Sequence, residues 1–214
     1  ITSLGADSLF LTLFFTMIAS MVLGMGLPSI PAYIITATMA APALAEFGIP
    51  ILVAHMFVFY FGIFANITPP VALAAFAGAG ISGGDPMRTG FNALKLSIAG
   101  FIIPYLFVYN PAMLMIDTTD VAVNARDFAM PPIMEILLIS VTAIIGIIAL
   151  SAAVEGYFRT GLNVILRILM GAGALMMILP ESNSDIYGII MVGVTMAINF
   201  IQGKKQDEKP NITV

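Results

Sequence analysis

Asn66-Ile67-Thr68-Pro69-Pro70 interrupts a stretch, Phe47 to Gly84, that holds no lysine, arginine, aspartate or glutamate. Proline lacks a backbone donor and its ring clashes with the carbonyl four residues back, so a helix entering this segment ends there. In hydrocarbon no water pairs the groups so freed, and irregular backbone survives at that depth only where protein buries it or a wet cavity meets it. A second uncharged stretch, Ser8 to Ala45, is broken near its middle by Gly24-Met25-Gly26-Leu27-Pro28-Ser29-Ile30-Pro31. Apolar spans interrupted in this way mark the binding sites of secondary transporters.

Composition agrees with a membrane setting. Apolar residues make up 60% of the 214, charged residues only 9%, and the mean hydropathy is +1.04, which lies far outside the range of a soluble domain. At about 20 residues per crossing, the chain has room for roughly six crossings or half-crossings and little else. It begins at Ile1 with no basic leader or cleavage site, and it reads as the C-terminal part of a longer polypeptide. The absence of cysteine excludes disulfides, thiolate metal sites and a cysteine nucleophile. A formal charge of -4, scattered along the chain, points to no nucleic-acid partner.

After the two broken stretches, apolar runs cover Leu96 to Ile116, Ile136 to Val154, Ile168 to Leu179 and Ile186 to Ile201. The connections alternate between basic and acidic. Placing the basic ones in the cytoplasm leaves only Arg126 outside. On that assignment Phe47 to Gly84 crosses once from outside. A continuous helix over Ser8 to Ala45 would be about 57 Å long, nearly twice the hydrocarbon thickness. The stretch is therefore expected to fold back at Gly24 to Pro31 as a re-entrant hairpin. The expected layout is a hairpin over 8–46, a broken helix over 50–82, an interfacial helix over 86–95, a span over 96–116, and a periplasmic loop over 117–135. A transmembrane extension over 136–203 and a cytoplasmic tail over 204–214 follow. Asp85-Pro86 reads as an N-cap followed by proline at the first helical position. Pro104 and Pro111 are expected to kink or end the span they lie in.

A discontinuous helix leaves unpaired carbonyls at the end of its first half and unpaired amides at the start of its second. The former attract cations and the latter anions. At the second break, Ala65, Asn66 and Ile67 offer carbonyl oxygens, and Asn66 and Thr68 offer side-chain oxygens. Neutral oxygen ligands suit a hard cation such as Na⁺ better than a transition metal. At the first break, Gly24 and Gly26 let the backbone turn and approach a ligand closely, and Ser29 adds a hydroxyl beside exposed amides. The competing reading makes both breaks plain proline kinks whose polar side chains satisfy their own backbone. His55, the only histidine, lies on the outer half of the broken helix. With no carboxylate nearer in sequence than Glu46, it reads as a neutral hydrogen-bonding group, with proton coupling or substrate contact as the alternative.

Several of these segments together resemble a known family. Gly24 through Pro28 and Pro31, Ala54-His55-Met56-Phe57-Val58-Phe59-Tyr60-Phe61-Gly62, Asn66 through Ala75, Asp85-Pro86-Met87 and Tyr109-Asn110-Pro111-Ala112 resemble the large permease of tripartite ATP-independent periplasmic (TRAP) transporters. The best match is the fused permease of the TAXI-type branch, over about residues 10 to 116. The spans after Glu135 look like the C-terminal extension of some fused permeases. Ala72 stands where many relatives outside this branch have glycine.

The resemblance implies an all-α, multi-pass protein of the bacterial inner membrane, in which a re-entrant helical hairpin and a discontinuous helix form half of the inverted repeat of an elevator-type transporter. It further implies a Na⁺-coupled symporter that imports organic acids (carboxylates) delivered by a periplasmic substrate-binding protein. Its partners would be that protein, the upstream remainder of the permease and membrane lipid. Na⁺ would serve as coupling ion, with no other cofactor. In that family the helical hairpins and broken helices hold cation and substrate, which matches the independent reading of the breaks: Gly24, Gly26, Ala65, Asn66, Ile67 and Thr68 around the cation, and Ser29, Asn66, Thr68 and Pro69 toward the substrate. The alternative is a passive channel or structural membrane subunit without ion coupling. An intramembrane enzyme is disfavoured, because no His-Glu-x-x-His motif, buried carboxylate pair or nucleophile beside the histidine is present.

Overall fold

The regular elements among the described residues are helices, accompanied by one isolated antiparallel bridge between Tyr157 and Gly161. The computed structural model describes residues 8–116, 131–178 and 182–207. The chain divides into two compact units, Ile1–Ile136 and Leu137–Val214. Two helical stretches, Pro86–Tyr109 and Ile133–Glu155, are long and apolar enough to cross a membrane, so with its composition the chain is an all-α membrane protein.

In the first unit, helix α1 (Leu9–Gly24) ends where Met25 turns extended. Gly26 then takes a left-handed φ of +75°, a conformation that glycine adopts without the Cβ penalty. Pro28, also extended, opens helix α2 (Ser29–Met39). Pro31 falls in the first turn of α2, where its missing N–H interrupts no helical bond. A five-residue helix, α3 (Ala41–Ala45), follows, and Pro50 opens α4 (Ile51–Phe64). Helix α4 is central, packing against α1, α2 and α3. Leu13, Leu44, Val53, Phe57 and Phe61 are wholly buried in this core.

The chain resumes as α5 (Leu73–Ser82) beyond the proline pair, ends it with Gly83 at φ +71°, and starts α6 (Pro86–Ser97). The Asp85 carboxylate accepts a hydrogen bond from the Arg88 amide at 2.7 Å, the capping geometry that the Asp-Pro pair predicts. A 3₁₀ turn (Ile98–Ile102) and α7 (Ile103–Tyr109) continue without a gap. The boundary that the sequence places between Lys95 and Leu96 is therefore no break in the backbone. Pro86–Tyr109 runs helically for 24 residues, because no residue near Lys95 forbids it. Pro104 sits in the first turn of α7, and the helix stops at Tyr109 before Asn110-Pro111. Helix α7 packs on α4, with the Tyr105 ring 5.4 Å from Phe57.

Most of the expected acidic loop, 117–130, lies outside the described residues. Its end does not, since Glu135 belongs to the first turn of helix α8 (Ile133–Glu155), where a carboxylate meets the positive end of the helix dipole. In the second unit α9 (Val164–Ile178) packs against α10 (Ser182–Asp207). A Cβ at Gly188 would come 2.7 Å from the Gly173 carbonyl, so the two backbones touch, the close approach that small residues permit between membrane helices. Helix α10 runs through Lys204 and Lys205, and the remaining tail, 208–214, lies outside the described residues.

Candidate functional site

The peptide groups of the Phe64 to Leu73 connection are largely paired with one another. The Phe64 carbonyl accepts from the Ile67 amide at 3.1 Å and from the Thr68 hydroxyl at 2.8 Å. The Asn66 carbonyl accepts from the Ala74 amide at 2.9 Å, tying the end of α4 to the start of α5 across the prolines. The Thr68 carbonyl accepts from Ala72, and the Ala65 carbonyl accepts from Thr68 over a long 3.4 Å. The Ile67 carbonyl accepts no hydrogen bond among the described residues. Each carbonyl oxygen carries two lone pairs, so Ala65, Asn66 and Ile67 all retain acceptor capacity. Thr68 is nearly buried, and its proton is committed to Phe64, which leaves the oxygen lone pairs for another group. The half-buried Asn66 side chain makes no hydrogen bond with another described residue.

The two sequence breaks lie side by side. A Cβ at Gly24 would overlap the Gly62 carbonyl, and one at Gly26 would sit 3.7 Å from the Val71 side chain. The end of α1 and the turn after it are thus seated on the end of α4 and the loop after it. Gly62 is also approached from α2, with a Cβ there falling 3.4 Å from both outer atoms of Thr36. Ala72, fully buried at the start of α5, adopts a left-handed conformation with φ +34°. Gly90 of α6 closes the far side, where a Cβ would approach Pro69 and Phe76 to 3.2 Å.

Among the residues singled out from sequence, Gly24 and Gly26 are brought against the second break, while Ala65, Asn66, Ile67, Thr68 and Pro69 form it. Ser29 is exposed at the start of α2. His55 meets Tyr33 of α2, with the Tyr33 hydroxyl 2.9 Å from Nδ1, so the histidine has a neutral hydrogen-bonding partner. Tyr33 went unnoticed in the sequence because nothing local links it to a residue on another helix. Gly62 lies inside a motif of the resemblance, and its role as the seat of Gly24 is visible only in three dimensions. Thr12, Thr16 and Ser20 of α1 also lie outside the residues singled out from sequence. They are fully buried, and their hydroxyls have no hydrogen-bond partner among the described residues. With Gly24 they recur every four residues, a spacing that puts them on one face of α1 and that was available in the sequence.

Nearly all oxygens around this junction belong to neutral peptide, amide and hydroxyl groups, since Glu46 is the only carboxylate between residues 8 and 84. The arrangement offers a small cation neutral oxygens at a helix end and offers no residue set for bond-making chemistry. Residues 1–120, which contain both breaks and the helix that closes over them, match the family model described as Tripartite ATP-independent periplasmic transporter, DctM component. Neither the curated proteins nor the solved structures gave a match. Paired broken helices in an uncharged membrane segment and a family match over more than half of the chain agree, and the chain belongs to the DctM components, the large permeases of TRAP transporters.

Proposed function

We propose that residues 1–116 form the second-repeat half of an elevator-type transport core that couples Na⁺ entry to the import of organic acids. Family membership makes the chain part of a membrane permease that works with a periplasmic binding protein and further permease components, and the family is one of transporters rather than enzymes. Within that frame, 8–46 enters and leaves the bilayer on the periplasmic side as a re-entrant hairpin. Residues 50–82 cross as the broken helix, and 136–203 are an extension of the TAXI-type fused permease in the bacterial inner membrane. Gly24, Gly26, Ala65, Asn66, Ile67 and Thr68 surround the cation. Ser29, Asn66, Thr68 and Pro69 meet the carboxylate substrate.

The observation that carries this reading is the seating of Gly24 on Gly62 and of Gly26 beside Val71. It joins the hairpin turn to a helix end that retains carbonyl, amide and hydroxyl acceptors. A cation held there is coordinated from one element and covered by the other, so its binding would bias how the hairpin sits on the broken helix. The energetics suffice without ATP. One positive charge crossing 100 mV gains about 2.3 kcal/mol, so two net charges supply about 4.6, roughly three orders of magnitude of accumulation.

The test is uptake by the complete permease in proteoliposomes, with its binding protein, under imposed Na⁺, H⁺ and voltage gradients. Asn66→Leu and Thr68→Val each remove oxygen ligands without adding charge, and each is expected to abolish Na⁺-driven uptake while leaving membrane insertion intact. Wild-type rates in both variants would refute the site. Flux indifferent to the Na⁺ gradient and to Thr68→Ala would instead identify a passive channel or structural subunit.

A further inference from the structure

In the second unit Arg167, on the first turn of α9, reaches back to the end of α8. Its Nε donates to the Ala153 carbonyl at 2.9 Å and its Nη2 to the Val154 carbonyl at 2.8 Å. Gly156 lies flat against the guanidinium, since a Cβ there would be 3.1 Å from Cζ and Nη1. The cation is thereby fixed in place, but only neutral carbonyls face it. Among the described residues no carboxylate pairs with it. Of its five N–H donors, these two bonds use two. The loop beside it is equally well held, because the buried Asn199 side chain accepts from the Arg159 and Thr160 amides and donates to Thr160.

The guanidinium stands at the edge of a groove of about 400 Å³. Leu150, Val154, Val164 and Ile168 form its apolar walls, and Ala153 and Gly171, being small, leave it concave. That volume corresponds to about thirteen waters at about 30 Å³ each, room for a length of hydrocarbon rather than a lone ion. A pinned, uncompensated cation beside an apolar channel on a membrane helix pair matches one kind of molecule, with a negative head and an aliphatic tail. Basic pockets between membrane helices bind anionic lipid head groups in this manner. The charge pattern of the loops also assigns this end of α8 and α9 to the cytoplasmic side.

We propose that Arg167 and the groove between the end of α8 and the start of α9 form a binding site for an anionic phospholipid, with the phosphate on the free guanidinium donors and an acyl chain along Leu150, Val154, Val164 and Ile168. The site fixes one lipid at the second unit independently of the transport chemistry proposed for the first.

These 214 residues contain no tryptophan, so Val164→Trp at the outer rim, read as the difference in fluorescence from the same permease without the substitution, provides a local probe. The full permease carrying it is reconstituted in phosphatidylcholine vesicles containing an equal fraction of either brominated phosphatidylglycerol or brominated phosphatidylcholine. The anionic lipid is expected to quench with about fivefold preference, the enrichment that one basic residue gives near a membrane surface. Arg167→Lys is expected to retain most of the preference and Arg167→Gln to remove it. Quenching by brominated phosphatidylcholine, monitored in every variant, confirms that the probe stays in the bilayer. Equal quenching by the two lipids in the parent, or a preference that survives Arg167→Gln, overturns the proposal. Loss of the preference in the lysine variant as well assigns Arg167 to capping α8 and overturns it too.

Discussion

Ala72 shows how a single residue balances two small terms at the break. Its left-handed backbone, φ +34°, costs an L-residue about 1 kcal/mol relative to glycine, whereas burying its methyl group contributes about 0.8 kcal/mol. The two nearly cancel. Ala72→Gly is therefore expected to change stability by no more than about 0.5 kcal/mol, read as a small shift in thermal unfolding of the detergent-solubilised permease. Ala72→Val adds a branched side chain at a φ that branched residues avoid, in a fully buried position, and is expected to destabilise by about 2 kcal/mol or more. This balance makes either alanine or glycine physically acceptable after Thr68-Pro69-Pro70-Val71, so the alanine found here gives no reason to expect a different path for the loop.

At the scale of elements, the contact that matters is α1 on α4. Gly24→Ala places a methyl group on the Gly62 carbonyl, and neither backbone can yield without moving its helix. The expected loss is about 1–3 kcal/mol, together with slowed uptake as the hairpin turn lifts off the broken helix. Gly78 in α5 is the control, because a Cβ there meets nothing within 4 Å. Gly78→Ala is expected to stabilise by about 0.5–1 kcal/mol by improving helix propensity. Thermal unfolding of the two variants side by side distinguishes helix contact from general glycine effects. Equal shifts would mean that α1 does not rest on α4 as described.

For the whole molecule, the family match covers residues 1–120, and the cluster built around Asn199 belongs to the other unit. Asn199→Leu removes four hydrogen bonds from a buried amide and leaves two loop amides unpaired. A loss of about 2 kcal/mol or more in stability is expected. Uptake per folded molecule is expected to stay near the wild-type rate, because the proposed cation and substrate ligands all lie before Pro70. Normalising transport to the folded fraction, measured by size-exclusion chromatography, checks this. A folded variant without transport would show that the second unit takes part in the cycle.

The sequence by itself determined where helices must stop and where charge sits. Proline at 69 and 70 keeps α4, whose last residue is Phe64, from running on into α5, because a missing donor acts on its own chain. Asp85-Pro86 starts α6 because a cap needs only its next three residues, and a composition 60% apolar and only 9% charged implies a membrane whatever the fold. The oxygen-rich residues at the break were legible for the same local reason. The continuity of Pro86–Tyr109 is not legible in the sequence, because a change from polar to apolar composition near Lys95 alters a helix's surroundings without breaking its hydrogen bonds. Only the tertiary structure decided that Gly24 rests on Gly62, that Tyr33 bonds His55, that Ala72 turns left-handed and that Arg167 caps a neighbouring helix. Each of these depends on which helix faces which, and that choice is set by packing between segments far apart in the chain, which no local pattern of residues encodes.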